Sequence, residues 1–355
     1  MSLKIGIVGL PNVGKSSLFQ ALTKKKVDTS NYPFATIDPN IGVVVVPDKR
    51  LNKLAELSHS AKIVPAIVEF VDVAGLVKGA ADGEGLGNQF LSNIREVDVI
   101  CHIVRAFENE NIIHVSGKPN PENDYEIIRT ELALKDLETV TKASIKAEKD
   151  AKSGKKEAVE YCQTLKLLEQ ILKTEQSSGK TSDVRRTSDV EEERSNIAVA
   201  KNLGLLSFKP ELVVFNTSVK MSNLQLPTAN FSIMLDIAQE LALSTMTPEE
   251  QKELRLASCL PELIRKAYEL LGLITFFTTG EDESRAWTIP KDSTAKRAGR
   301  AVHSDFEEKF IRADVIFWEK LLEAGNWSKA RDLGWLRSEG KEYLVRDGDV
   351  IEFKI

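Results

Sequence analysis

Two hydrophobic periods alternate along this chain. Predominantly apolar runs at residues 3–8 (LKIGIV), 41–47 (IGVVVVP), 66–75 (AIVEFVDVAG), 97–107 (VDVICHIVRAF) and 210–216 (PELVVFN) have the length and β-branched content of buried strands. Helical spacing appears between them: Leu18, Phe19 and Leu22 follow the first run, and residues 197–208 lead into the last. Strand and helix in this alternation predict an α/β fold. From Tyr125 the texture changes. Ile128, Leu132, Leu137 and Val140 mark one helical face, and Val159, Cys162, Leu165, Leu168 and Leu172 a second, with KSGKK at residues 152–156 between them. This pattern predicts two antiparallel helices packed as a hairpin of coiled-coil character. Residues 175–196 are polar and poor in apolar anchors, which predicts a partly mobile connection. After residue 242 a long helical segment should run through KAYELLGL. The β-prone runs 274–280 and 285–290 then read as a strand pair, Ser293 opens a helix, and residues 342–355 read as a hairpin around Asp347-Gly348. Strands wrapped on one helix predict a β-grasp module.

The first run carries chemistry. Gly9 to Ser16 (GLPNVGKS) fits the eight-residue P-loop pattern, and the preceding strand and following amphipathic helix supply its context. Backbone N–H groups of such a turn, with the free N–H groups of the helix it opens, form a cradle for phosphate oxygens. Gly9 and Gly14 permit that path, and Asn12, Val13 and Ser17 complete the cradle. Lys15 is expected to reach the β- and γ-phosphates, and Ser16 to ligate Mg²⁺.

Residues 27–40 (VDTSNYPFATIDPN) hold two prolines and several turn formers, as a switch segment would. Thr36 is the candidate Mg²⁺ ligand there, with Thr29 the alternative. The strand at 66–72 ends in Asp72-Val-Ala-Gly75, a DxxG arrangement in which Asp72 holds Mg²⁺ through water and the Gly75 N–H meets the γ-phosphate. Gly79, Gly83, Gly85 and Gly87 follow, a density that predicts a second switch. Leu76 stands where Ras-type switches carry the glutamine that orients the attacking water. Either intrinsic hydrolysis is slow, or another group, a cation or a partner positions the water.

Composition narrows the setting. The 355 residues predict two or three domains, and 42% hydrophobic with 28% charged residues is ordinary for a globular protein. A net charge of −5 argues against wholesale electrostatic binding of nucleic acid. No run approaches the ~18 apolar residues of a membrane span. With the first strand starting within two residues of Met1, no signal peptide is expected. Cys101, Cys162 and Cys259 show no paired spacing, and a cytoplasmic address follows.

GLPNVGKSSLFQALT, NYPFATIDPN, DVAGLVKGAADGEGLGNQFLSNIREVD and FENENIIHVSG resemble the Obg-like ATPase family of the YchF type, within the translation-factor branch of P-loop NTPases. The resemblance runs nearly end to end. It implies a G-type nucleotide domain (residues 1–123 and 198–272), an inserted helical hairpin (124–197) and a C-terminal β-grasp module of the TGS kind (273–355). It further implies a cytosolic, ribosome-associated ATPase with context-dependent use of GTP, and a hydrophobic residue in place of the catalytic glutamine, as Leu76 is here. Asn12 matches an asparagine that in related potassium-activated NTPases helps bind K⁺. His114 becomes a candidate for positioning water or for coupling to the insert.

Base recognition is where the chain departs from its relatives' pattern. GTPases carry NKxD after the strand at 210–216, and the Obg-like ATPases Asn-x-x-Glu. Here Asn216-Thr217-Ser218-Val219 lacks the acid, so strict guanine specificity is not expected, and ATP or a tolerant site both remain. Asn216, Thr217 and, from the last base-side loop, Ser232 are the candidate base-side residues. Lys142, Lys146, Lys149, Lys152, Lys155 and Lys156 crowd the hairpin's distal end against Glu148 and Asp150. Such a run is either a solvated face or an rRNA-binding tip. Taken together, a monomeric Mg²⁺-dependent NTPase, most simply an ATPase, is expected to regulate ribosome contact by nucleotide state. A GTP-driven switch, or a nucleotide-gated RNA- or protein-binding module with incidental turnover, are the alternatives.

Overall fold

A computed structural model describes residues 3–24, 27, 31–32, 38–73, 94–115, 117–178, 190–218 and 231–355 of the chain. The elements begin β1 (Lys4–Val8), α1 (Lys15–Thr23), β2 (Ile41–Val45), α2 (Lys49–Leu57), β3 (Lys62–Val64), β4 (Ile67–Asp72) and β5 (Val99–Ala106). Next come α3 (Pro121–Ala151), α4 (Lys156–Ser178), α5 (Val190–Leu203), β6 (Glu211–Thr217), β7 (Ser232–Leu235), α6 (Ile237–Leu243), α7 (Pro248–Glu253) and α8 (Leu260–Leu270). The chain ends with β8 (Leu273–Thr279), β9 (Glu283–Pro290), α9 (Ala295–Val302), α10 (Ser304–Glu308), β10 (Arg312–Phe317), α11 (Trp318–Ala324), α12 (Trp327–Asp332), β11 (Arg337–Glu339) and β12 (Asp349–Lys354). Two compact units result: residues 4–21 with 71–254, and residues 1–3, 22–70 and 255–355.

In the first unit β1, β5, β6 and β7 pair in parallel in that order, with Ile5 opposite Val99, Ala106 opposite Thr217 and Asn216 opposite Leu235. All eight residues of β5 are buried, as expected of a parallel strand covered on both faces. The carboxyl ends of these strands share one edge, where ligands bind in open α/β sheets. The helical pair is present as expected. Asn120 caps α3 ahead of Pro121, and Ala133, Val140 and Ala147 pack with Cys162, Leu165, Leu168 and Leu172 of α4. Of the connection expected over 175–196, both described ends are helical, α4 continuing to Ser178 and α5 beginning at Val190, and residues 179–189 lie outside the described residues. Ala200 and Leu205 bury in the hairpin core, and that packing supports the turns upstream of them. The Asp136 carboxylate then locks the hairpin root, accepting from the backbone N–H groups of Leu206 and Ser207 at 2.7 Å each and from Ser207 Oγ at 2.6 Å.

The second unit is built on a mixed sheet of order β11-β10-β12-β8-β9-β3. Phe276, Ile289, Ala298, Val315 and Ile351 form its core. The strand pair 274–280 and 285–290 is present as β8 and β9, and the helix begins at Ala295 behind the Thr294 cap. The terminal hairpin is not. Among residues 342–355 only β12 is a strand, and its antiparallel partner is β10. The neighbours of β12 explain the difference: β10 pairs with it on one side and β8 on the other, so neither edge is left for residues 342–345. The long helix expected after residue 242 is two short ones, α7 opened by the Thr247 capping box and α8 with Pro261 in its first turn. Short β3 was not legible at all, since its three residues gain strand character only by pairing with β9, Lys62 opposite Glu283. Among the described residues no helix is long and apolar enough to cross a membrane.

Candidate functional site

β1 stops at Val8 because the chain must turn away under β5. A Cβ on Gly9, whose φ is 152°, would lie 2.5 Å from the Ile103 carbonyl oxygen, so only glycine passes. Gly14, at φ 107°, is fixed by a different neighbour: its Cβ would meet Asn216 Nδ2 at 2.8 Å. Between them Asn12 adopts φ 61° and its Nδ2 donates to the Ile113 carbonyl at 3.1 Å. Val13 is buried, and its carbonyl accepts from Asn216 Nδ2 at 2.8 Å. Asn216 Oδ1 in turn accepts from the Ile237 N–H at 3.2 Å. Asn216 is thus the clamp between the turn and α6.

Lys15 folds over the turn, its Nζ donating to the carbonyls of Gly9 at 3.0 Å and Leu10 at 2.8 Å. Burial pushes its ammonium below the usual lysine range, and the Asp72 carboxylate works against that shift. Ser16 Oγ donates to Asp72 Oδ2 at 3.1 Å. A hydroxyl and a carboxylate oxygen so placed form a hard-oxygen pair of the kind Mg²⁺ accepts. Asn12, Gly14, Lys15, Ser16 and Ser17 form one side of a cavity of about 580 Å³. Its remaining lining comes from Phe107, Glu108, Asn109 and Ile112 after β5, from Asn216, Thr217 and Ser218 after β6, and from Asp236, Ile237, Ala238 and Leu241.

Ser232 is not in that lining. It opens β7 opposite Val213, and the strand carries the chain on to Asp236 before it turns toward the cavity. Asp236, Ile237 and Ala238 line the cavity after β7, because the chain turns toward it only after that strand. Thr36, Gly75, Leu76 and Val219, with Thr29 and the glycines between 79 and 87, lie outside the described residues.

His114 is buried beneath the root of the insert, with Nε2 2.9 Å from Asp124 Oδ2 in the first turn of α3. Its partner is thus a carboxylate of the hairpin, and His114 does not line the cavity. Burial raises the pKa of Asp124, and His114 pulls it back down. A second buried pair lies alongside. His102 Nδ1 and Glu211 Oε1 are 2.8 Å apart, while Tyr125 Oη and Arg129 Nη1, both from α3, donate to Glu211 Oε2 at 3.1 Å each. Burial works to raise the Glu211 pKa, but these partners outweigh it and hold the carboxyl below its usual range. His102, Arg105, Asp124 and Glu211 were missed by sequence reading. For His102, Arg105 and Glu211 the signal was present, since polar residues inside apolar runs are buried groups in need of partners, whereas Asp124 stands in a polar stretch that gave none.

A family model described as 50S ribosome-binding GTPase matches residues 4–150, and the YchF-GTPase C-terminal model, described as a protein of unknown function, matches residues 273–355. The chain is 45% identical to the ribosome-binding ATPase YchF of Bacillus subtilis (strain 168), over 100% of this chain and 99% of that protein. It is 44% identical to the ribosome-binding ATPase YchF of Escherichia coli O157:H7, over 99% of each. Among solved structures it is similar to the YchF GTPase of Schizosaccharomyces pombe, with 35% identity and a TM-score of 0.85 over 99% of this chain and 98% of that one.

Proposed function

The chain belongs to the YchF family of P-loop NTPases, and from that membership we propose that it is a ribosome-binding ATPase whose nucleotide sits in the cavity between the glycine-rich turn and the ends of β5, β6 and β7. The observation that carries this reading is Lys15 and Ser16 on one side of the cavity, with Asp72 bonded to Ser16 and Asn216 clamping the turn. Lys15 donates to the transferring phosphoryl group in place of the Gly9 and Leu10 carbonyls, and the turn's backbone N–H groups hold the remaining oxygens. Ser16 and Asp72, with Thr36, would hold Mg²⁺, which supplies charge neutralisation at the β- and γ-phosphates. Gly75 serves the γ-phosphate by its N–H. Thr217, with the Asp236–Ala238 segment, borders the base. Asn12 Nδ2 is committed to Ile113, which leaves Oδ1 for K⁺. Equal turnover in Na⁺ and K⁺ would remove that assignment.

Ribosome contact is assigned to the hairpin tip and the C-terminal module, read as a TGS domain. Lys142, Lys146 and Lys149 fall on one helical stripe and, with Lys152, Lys155 and Lys156, are exposed. Lys166 pairs with Glu148 at 2.9 Å, so that acid does not offset the stripe. The protein acts in the cytoplasm as a monomer, within a division into nucleotide domain, insert and C-terminal module at residues 124–197 and 273–355.

GTP use is the second reading, favoured by the fungal relative being called a GTPase. Equilibrium affinities for ATP and GTP with Mg²⁺, in wild type and Val219→Glu, decide between them. A tenfold preference of the wild type for ATP, about 1.4 kcal/mol, supports the ATPase. Comparable affinities establish a tolerant NTPase.

A further inference from the structure

Arg105 lies within β5, an otherwise apolar strand apart from His102, and its side chain is 1% exposed. Its guanidinium serves a single loop. Nε donates to the Phe107 carbonyl at 3.2 Å, Nη2 to that of Asn109 at 3.1 Å and Nη1 to that of Ile112 at 3.1 Å. The Phe107 ring covers the same cation, 4.6 Å from centroid to Cζ. Burying a guanidinium is costly unless its donors are matched, and inward-turned loop carbonyls have the reciprocal need. Each satisfies the other. The planar five-donor fork meets three converging carbonyls in a way that an ammonium cannot.

The loop so held is a wall of the nucleotide cavity. Phe107, Asn109 and Ile112 line it beside Asn216–Ser218 and Asp236–Ala238, whereas Lys15 and Ser16 belong to the phosphate side. The loop's far end is tied as well, since the Ile113 carbonyl accepts from Asn12 Nδ2. We infer that Arg105 is a positioning residue for the nucleoside: it preforms the wall that takes the purine and leaves the triphosphate to the glycine-rich turn. This rests on the assignment of the cavity to nucleotide. An aromatic wall reads the face of a ring and not its edge, so the contribution is common to adenine and guanine.

The test compares Arg105→Lys and Arg105→Gln with wild type, using Mg·ATP, Mg·GTP and Mg·tripolyphosphate as probes. Loss of a stacking wall should weaken both nucleotides about tenfold and raise KM, while tripolyphosphate affinity and kcat stay within about twofold. Arg129→Lys, which alters a half-buried arginine away from the cavity, should lower Tm and leave all three affinities alone. Parallel loss of tripolyphosphate and nucleotide affinity would make Arg105 a general structural residue and overturn the inference, as would unchanged nucleotide affinity. A wild type that binds tripolyphosphate but no nucleotide would overturn the assignment of the cavity itself. If neither Arg105 variant folds, hydrogen exchange in the nucleotide-free wild type decides. The Ile112 N–H, which donates to the Asn109 carbonyl at 3.2 Å, should already be protected, and exchange at the rate of an open peptide would refute a preformed wall.

Discussion

Asn216 and Val13 are 203 residues apart in the chain, and the side-chain amide of the first donates to the carbonyl of the second across 2.8 Å. That one bond joins the end of β6 to the phosphate-binding turn, and the same amide is what forbids a Cβ on Gly14. Asn216→Ala strands two buried backbone groups, the Val13 carbonyl and the Ile237 N–H, at a cost of about 1–3 kcal/mol each. The variant should melt earlier and bind nucleotide more weakly. Gly14→Ala should be less damaging in the Asn216→Ala background than in wild type, an interaction that a double-mutant cycle in urea would register. Additive effects would show that the two residues do not share this contact.

The Ser16–Asp72 pair predicts metal dependence. Asp72→Asn keeps the shape but removes the charge, and should raise the Mg²⁺ concentration needed for half-maximal turnover by about 10–100-fold. Titrating MgCl₂ at fixed ATP checks it, and a shift confined to kcat would contradict the role.

Glu211 predicts an acid limb in the stability profile. Its folded pKa lies below the unfolded value, so the stability it contributes is present above the unfolded pKa and is lost as pH falls through the folded one. Glu211→Gln should cost on the order of 3 kcal/mol at pH 7, because Arg129 and His102 lose a buried partner. The gap between variant and wild type should close as pH drops below the usual glutamate range. Denaturant melts at pH 7 and in acid give both values.

Asp124 has the opposite sign. Burial raises its pKa, so the stability linked to it is greatest at low pH and falls as pH rises through the folded value. Asp124→Asn can still face His114, and should flatten that decline without reducing stability near neutrality. A variant that keeps the wild-type slope would assign the slope elsewhere.

The exposed lysines of the hairpin predict salt-sensitive ribosome binding. Replacing Lys142, Lys146, Lys149, Lys152, Lys155 and Lys156 with Gln should weaken ribosome sedimentation and reduce the slope of log affinity against log salt by up to about 0.7–0.9 per lost contact. Hydrolysis without ribosomes should be unchanged.

Much of this protein was determined by local sequence. The glycine-rich turn, the five buried runs and the two helical faces of the hairpin each declare themselves within a dozen or so residues, because phosphate cradles, parallel strands and amphipathic helices have short-range signatures. Tertiary structure decided what depended on distant partners. β3 is a strand because β9 lies beside it, and residues 342–345 are not one because β10 and β8 occupy both edges of β12. Which residues of this segment line the cavity follows from the length of β7, which carries the chain from Ser232 to Asp236 before it turns. The buried charges of Arg105, Asp124 and Glu211 were visible as letters, yet their roles follow from which carbonyls, histidines and helix residues the fold brings to them. No sequence window spans those pairings, and a charge out of water is defined by its partners.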